Sequence, residues 1–246
     1  MKSPTALVIG ATSGIGLSCA QLLFRAGMRV AIAARRTDRL SQIAADLGED
    51  TLPITTDIAD HDSARRTVAT AWEHFGGIDY LVHAAGIVTP APLGDITQDL
   101  WRKTLDVNLS GAVYVLQECG LRMRAAGRGS MVAIASDLAF KGYPNFAHYC
   151  AAKAGLAGLC RALALELAPT VRVNCVCPGP VDTPMMAVEL EWFGNVDEMR
   201  KNTIASVPLK RMAEPDEIAQ LVRYVAVEAG FMTGSMLSID GGTTAG

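Results

Sequence analysis

Short apolar runs alternate with longer helical stretches along nearly the whole chain, and that alternation leaves few architectures open. Strands are predicted at Thr5–Ile9, Arg29–Ala33, Leu52–Thr55, Asp79–His83, Ser130–Ala135, Val171–Val176 and Met236–Ile239. Several are unbroken runs of Val, Ile, Leu and Ala, the pattern of strands covered on both faces. Between them the spacing predicts helices around residues 15–26, 38–47, 61–75, 97–126, 149–168 and 215–227, the last opened by Pro215 beside Asp216 and Glu217. Such a β–α order implies an α/β fold: a doubly wound, mainly parallel seven-stranded sheet flanked by helices. No internal repeat, linker or low-complexity segment divides residues 1–246, so a single domain is expected. One irregular stretch, Pro178 to Pro208, is long for a strand–helix connection, and the part at about 180–208 reads as a substrate-binding loop–helix insertion. It carries Met185, Met186, Trp192 and Phe193, which either pack on the body or line an apolar pocket.

Composition narrows the function classes. Half of the 246 residues are hydrophobic and 19% are charged, enough for a large core and too few charges for disorder. Net charge is −3, and the pairs Arg35-Arg36 and Arg65-Arg66 are too small for a nucleic-acid footprint. Cys19, Cys119, Cys150, Cys160, Cys175 and Cys177 are scattered with no Cys-x-x-Cys, and the four histidines do not cluster with them. Buried thiols in a reducing compartment are expected, not a metal site or a disulfide framework. The N-terminal Met1-Lys2-Ser3-Pro4 leads into an apolar run of five residues, short for a signal-peptide core, and no stretch reaches membrane-span length. A soluble, cytoplasmic protein with no membrane partner is expected.

Directly after the first predicted strand comes Gly10-Ala11-Thr12-Ser13-Gly14-Ile15-Gly16, running into a helix. Glycines there permit a tight turn and close approach of backbone to a pyrophosphate, whose charge the helix N-terminus favours. A strand before and a helix after raise this motif well above a lone glycine turn. The second strand ends Ala33-Ala34-Arg35-Arg36, with Ala34 where an NAD site places a carboxylate. Without that carboxylate, and with Arg35 and Arg36 able to grip a 2′-phosphate, NADP(H) is expected in preference to NAD(H). Asp57-Ile58, after the third strand, is placed to reach the adenine edge.

Tyr149 and Lys153 are four residues apart, so on a helix they share one face. A phenol is a poor proton donor or acceptor at neutral pH, and a neighbouring ammonium pulls its pKa toward the working range. Ser136, at the end of a separate apolar run, can return to the same point and hold a substrate oxygen. Such a trio suits proton transfer at an alcohol or carbonyl.

Together these residues make the chain resemble the compact branch of the short-chain dehydrogenase/reductase family, over essentially its whole length. The matching motifs are Gly10-x3-Gly14-Ile15-Gly16, Asp57, Ala84-Ala85-Gly86, Asn108 in Val107-Asn108-Leu109, Ser136, Tyr149-x3-Lys153, Pro178-Gly179-Pro180-Val181-x-Thr183 and the terminal Ser238-Ile239-Asp240-Gly241-Gly242. The resemblance implies a Rossmann fold and, residue by residue, a division of labour. Tyr149 is the acid in carbonyl reduction and the base in alcohol oxidation; Lys153 lowers its pKa and holds the nicotinamide ribose. Ser136 orients the substrate oxygen, and Asn108 holds a water that links Lys153 to bulk. Cofactor contacts fall on Gly10, Thr12, Ser13, Gly14, Ile15, Gly16, Ala84 and Gly86, on Tyr149 and Lys153, and on Pro178, Gly179, Val181 and Thr183 around the nicotinamide. A homotetramer or dimer is implied, packed through helices 97–126 and 149–168, although Leu156, Leu159, Leu163 and Leu167 fit an intrachain core equally well.

Three positions depart from the family pattern. Ile9 stands where Thr is frequent, His83-Ala84 replaces the common Asn-Asn, and Ala34-Arg35 bears on cofactor choice. His83 is expected to be a hydrogen-bonded strand-end histidine. The predicted activity is NADP(H)-dependent interconversion of a small-molecule ketone and a secondary alcohol. The alternatives are an NAD-dependent alcohol dehydrogenase of the same family, a non-catalytic dinucleotide sensor, and, disfavoured by the chain length, an epimerase or dehydratase of the longer branch. Candidate pocket residues are Asp137, Phe140, Tyr143, His148, Met185, Met186 and Trp192, with Asp137 or His148 as the polar handle.

Overall fold

Seven strands form one sheet in a computed structural model that describes residues 3–245; Met1, Lys2 and Gly246 lie outside the described residues, as does that part of the N-terminal reading. The strands are β1 (Thr5–Ile9), β2 (Arg29–Ala34), β3 (Thr51–Thr55), β4 (Tyr80–His83), β5 (Gly129–Ile134), β6 (Val171–Pro178) and β7 (Met236–Ile239), ordered β3-β2-β1-β4-β5-β6-β7. Every pairing is parallel, with Val8 of β1 opposite Ile32 on one side and Val82 on the other. The direction of winding reverses at β1, and in such sheets ligands bind in the crevice beyond the carboxyl ends of the strands at that point.

Side-chain alternation along the strands feeds two cores. Leu7, Ile9, Leu81 and Met131 face α3 (His61–Phe75), α5 (Gly111–Ala125) and α6 (Ala147–Leu167). Val8, Ile32, Val82 and Val132 face α1 (Gly14–Arg25), α2 (Thr37–Leu47) and α9 (Pro215–Arg223). Local signals set the helix ends: Asp60 accepts from Ser63 N to cap α3, and Gly76 closes it in the left-handed region at φ 75°. Pro215 opens α9 as predicted, inside a capping box formed by Glu214 and Glu217. Five of the six cysteines are buried and all six are free thiols. Among the described residues no helix is long and apolar enough to cross a membrane.

Three stretches differ from the sequence expectation, the shortest being the helix predicted at 215–227, which is α9 followed by a π turn at Tyr224–Glu228. The single helix predicted at 97–126 is instead α4 (Gln98–Leu105) and α5, joined by one π turn at Asp106–Ser110. That extra residue leaves the apolar pattern almost unchanged, so periodicity does not report it. The 178–208 stretch is mostly helical: α7 (Pro184–Trp192) is capped by Thr183, and α8 (Val196–Ser206) by Asn195. An ion pair from Arg200 to Asp182 ties α8 back to the segment that follows β6.

Candidate active site

The glycine loop leaves no room for side chains. A Cβ on Gly10, at φ +85°, falls 2.6 Å from Ala85 N, and one on Gly16 falls 2.3 Å from Gly10 O. The turn therefore packs backbone on backbone and delivers α1 with its first amides uncapped: Ser13 makes no side-chain cap bond, and the first turn holds no acidic residue. An anion completes such a helix end. The cleft over it is lined by Thr12, Ser13, Gly14, Ile15, Asp57 and Ile58, with Gly10, Gly16, Ala84 and Gly86 on the same wall. Ala34, Arg35 and Arg36 line its far end; Arg36 Nη2 donates to Thr12 Oγ1 at 2.8 Å and to Ser13 Oγ at 3.3 Å, bracing the loop. A dinucleotide fits this donor set: bare helix amides for its pyrophosphate and guanidinium groups at the ribose end.

The residues expected to transfer the proton come together near the carboxyl end of β5. Ser136 follows that strand, and α6 presents Tyr149 and Lys153 from consecutive turns, with Lys153 Nζ 5.6 Å from the Tyr149 ring centroid. All three are buried. Lys153 Nζ donates to Ile134 O at 3.0 Å. Ser136 Oγ accepts from Leu138 N at 3.1 Å and donates to Asp137 Oδ1 at 3.0 Å, and it lines the same cavity as the Tyr149 phenol. Asn108 sits on the π turn, fully buried: its amide donates to Ile87 O and Thr104 O, and Oδ1 accepts from Ile87 N at 3.0 Å. It thereby clamps the loop after β4, where a Cβ on Gly86 would stand 2.8 Å from Asn108 Oδ1 and 3.5 Å from Lys153 Nζ.

The electrostatics differ from the expectation that Lys153 depresses the phenol. Burial pushes Tyr149 upward, Glu189 and Asp137 add to it, and among the leading causes only the Ser136 hydroxyl opposes. Burial also pulls Lys153 down to about 8, so its charge is itself weakened. The protein's own groups thus keep Tyr149 a protonated phenol at neutral pH and weaken it as an acid.

A second cavity opens beside the cleft and shares Ile15, Ala84, Gly86, Thr183 and Met185 with it. Ser136, Tyr149 and Lys153 line it, as do Pro178, Gly179 and Val181. Gly179 passes so close to β7 that a Cβ would meet Asp240 O at 2.7 Å, and Val181 is bridged to Ala213. Of the pocket residues expected from sequence, Asp137, Tyr143, Met185 and Met186 line the cavity, while Phe140, His148 and Trp192 do not. His148 is fully buried with Nε2 on Thr89 O at 2.8 Å; Trp192, at the end of α7, turns outward and meets Phe193 edge-on. Asp137 is no free handle, because Ser136, Thr243 and Lys141 take up its carboxylate.

Comparison with known proteins settles the family. Residues 10–244 match the family model described as Enoyl-(Acyl carrier protein) reductase. The chain is 37% identical over 245 residues to cis-4-hydroxycyclohexanecarboxylate dehydrogenase of Sinomonas cyclohexanicum, covering 98% of this chain and 96% of that protein. It is 34% identical over 251 residues to dehydrogenase/reductase SDR family member 4 of Pongo abelii, covering 99% and 88%. The crystal structure of a single-substitution variant of the actinorhodin polyketide ketoreductase with NADPH superposes with a TM-score of 0.93 at 34% identity, covering 98% and 97%. The chain belongs to the short-chain dehydrogenase/reductase family. It is an oxidoreductase of the alcohol–carbonyl couple that works with NAD or NADP.

Within this family member two things stand apart from the sequence reading. His83 is fully buried and neither ring nitrogen has a hydrogen-bond partner among the described residues, so it is not the bonded strand-end histidine expected. Burial, and then the charge of Lys153, hold it down to about 3, which keeps the ring neutral. Sequence reasoning also missed Lys141, Glu189 and Thr243, all of which line the cavity. For Glu189 a signal existed: once Pro184 is read as a helix start, Met185, Met186 and Glu189 fall on one face, with Glu189 at i+4 from Met185 and i+3 from Met186.

Proposed function

We propose that this protein is an NADP(H)-dependent reductase of a small-molecule ketone, running reversibly to the secondary alcohol. The observation that carries the reading is that Ser136, Tyr149 and Lys153 line a cavity continuous with a glycine-floored dinucleotide cleft. A bound nicotinamide supplies or accepts the hydride. The chain's own residues do the rest. Ser136 holds the substrate oxygen, and Tyr149 gives that oxygen its proton in reduction and removes it in oxidation. Lys153 returns the proton to the phenol; Asn108 Oδ1 accepts only one bond and so keeps a lone pair for a water leading to solvent. Pro178, Gly179, Val181 and Thr183 form the wall against which the nicotinamide rests, and the 180–208 insertion receives the substrate.

NADP(H) preference rests on Ala34, Arg35 and Arg36 at the ribose end of the cleft. We further place the protein in the cytoplasm as a homotetramer or dimer; Leu165 on α6, 83% exposed, offers the apolar contact such an assembly needs. The test of the activity is Tyr149→Phe, which removes the transferable proton and little else. Turnover across a ketone panel with NADPH should fall by about a thousandfold, with cofactor affinity nearly unchanged. Residual turnover at a tenth of the original rate means that Tyr149 is not the acid.

A further inference from the structure

The charged groups lining the substrate cavity are nearly all committed within the protein, unlike the hydroxyls of Tyr143, Tyr149 and Thr203. Asp137 is held by Ser136, Thr243 and Lys141; Lys153 is on Ile134 O; Thr183 caps α7; and Ser206 Oγ donates to Thr203 O at 2.7 Å. Glu189 is different. It projects from α7 into the cavity, half-buried, and among the described residues it makes neither an ion pair nor a hydrogen bond. A carboxyl left without a partner in a part-buried site costs free energy that a bound ligand can recover.

We propose that Glu189 selects the substrate, and that it selects a neutral carbonyl or alcohol carrying a second hydroxyl group remote from the reacting carbon. The charges in the cavity favour this class over two others. Lys141 and Asp137 neutralise each other, so a carboxylate ligand meets the unpaired Glu189 and an ammonium ligand meets Lys153. A hydroxyl suits either state of Glu189, donating to the carboxylate or accepting from the carboxylic acid. Both states matter because burial, and then Asp137, push this carboxyl up to about 7. The cavity also requires an apolar ring or chain between the two polar ends, since Met185, Met186 and Phe146 lie along it. The inference rests on the cavity being the substrate site of the proposed reductase.

The test is equilibrium binding to the NADP⁺-saturated protein, which needs no turnover. The probes are 1,4-cyclohexanediol, cyclohexanol, 4-hydroxycyclohexanecarboxylate and 4-aminocyclohexanol. The diol should bind about tenfold tighter than each of the other three, as expected where a site hydrogen-bonds a substrate hydroxyl. Glu189→Ala should bring the diol-to-cyclohexanol ratio to about one, while Glu189→Gln, which still hydrogen-bonds, keeps part of the diol preference and loses rejection of the carboxylate. Equal or absent binding of the diol in the unmodified protein, tighter binding of the carboxylate or the amine, or a diol advantage that survives in Glu189→Ala overturns the proposal. Oxidation of cyclohexanol, followed by nicotinamide absorbance in the same samples, reports separately on the dehydrogenase activity. Turnover without hydroxyl selection therefore sinks the Glu189 assignment alone, and selective binding without turnover sinks the activity alone.

Discussion

The dinucleotide cleft and the substrate cavity meet at Ile15, Gly86 and Met185, yet they are built in opposite ways. The cleft is made of backbone: Gly10, Gly16 and the uncapped end of α1 fit together because no Cβ intervenes. The cavity is made of side chains drawn from β5, α6, α7, α8 and the C-terminal segment, so each can change without disturbing the sheet. One face fixes a ligand common to a whole chemistry, and the other is free to choose what is reduced. On the proposed reading, substitutions on the first side should weaken cofactor binding and those on the second should alter what is reduced or how fast.

Gly16→Ala presses hardest on this contrast. Its new methyl group lies 2.3 Å from Gly10 O, a backbone atom that cannot move cheaply. We expect NADPH affinity to fall by about a hundredfold and stability by about 1–3 kcal/mol, measured by cofactor titration and urea unfolding. Wild-type affinity in this variant breaks the claim that the cleft is set by backbone contact.

His83 is fully buried at the end of β4, beside Ala84, which lines both regions, and its titration bears on stability. In the unfolded chain the imidazole titrates near 6.5, whereas the fold holds it near 3, so between those values the unfolded chain binds the extra proton. Stability is therefore lost as pH falls below about 6.5, by about 2 kcal/mol between pH 7 and pH 5. His83→Asn should lack that loss when urea unfolding is compared at the two pH values. An identical pH dependence in both proteins assigns the acid sensitivity elsewhere.

Smaller effects sharpen the boundary. Ala34→Asp combined with Arg35→Ser should move the ratio of kcat/KM for NADPH over NADH toward NADH by about tenfold, or about 1.4 kcal/mol. A tenfold NADH preference in the unmodified protein contradicts the reading of Ala34 and Arg35. Arg200→Ala releases α8 from Asp182 on the exposed side of the cavity. It should raise the substrate KM by no more than about a few-fold, because the pair is solvent-screened, with NADPH affinity unaltered. A change in cofactor affinity would tie the two regions together.

The same contrast explains what was legible in the sequence. The parallel strands and the glycine loop follow from local patterns: apolar runs of strand length, and a strand–glycine–helix succession whose spacing the backbone dictates. Tyr149 and Lys153 share a helix face, so their meeting needed only the 3.6-residue period. The cavity was less legible because its parts are distant in sequence. Thr243 reaches Asp137 across 106 residues, and nothing in either neighbourhood announces it. His148 and Trp192 have the right chemistry for a pocket, but their direction depends on helix phase and on Thr89 and Phe193. The π turn around Asn108 escaped because one added residue hardly alters an amphipathic pattern, and the missing hydrogen bonds of His83 are visible only in the packed core.

The central claim is that Tyr149 carries the proton transfer while the backbone-built cleft carries most of the cofactor binding. Tyr149→Phe, with NADPH affinity and single-turnover reduction of one ketone measured on the same preparation, tests it most directly. The account predicts a dissociation constant within about twofold of the parent and a reduction step slowed by about a thousandfold. Comparable losses in both quantities, or a reduction step that survives at a tenth of the parent rate, would contradict it.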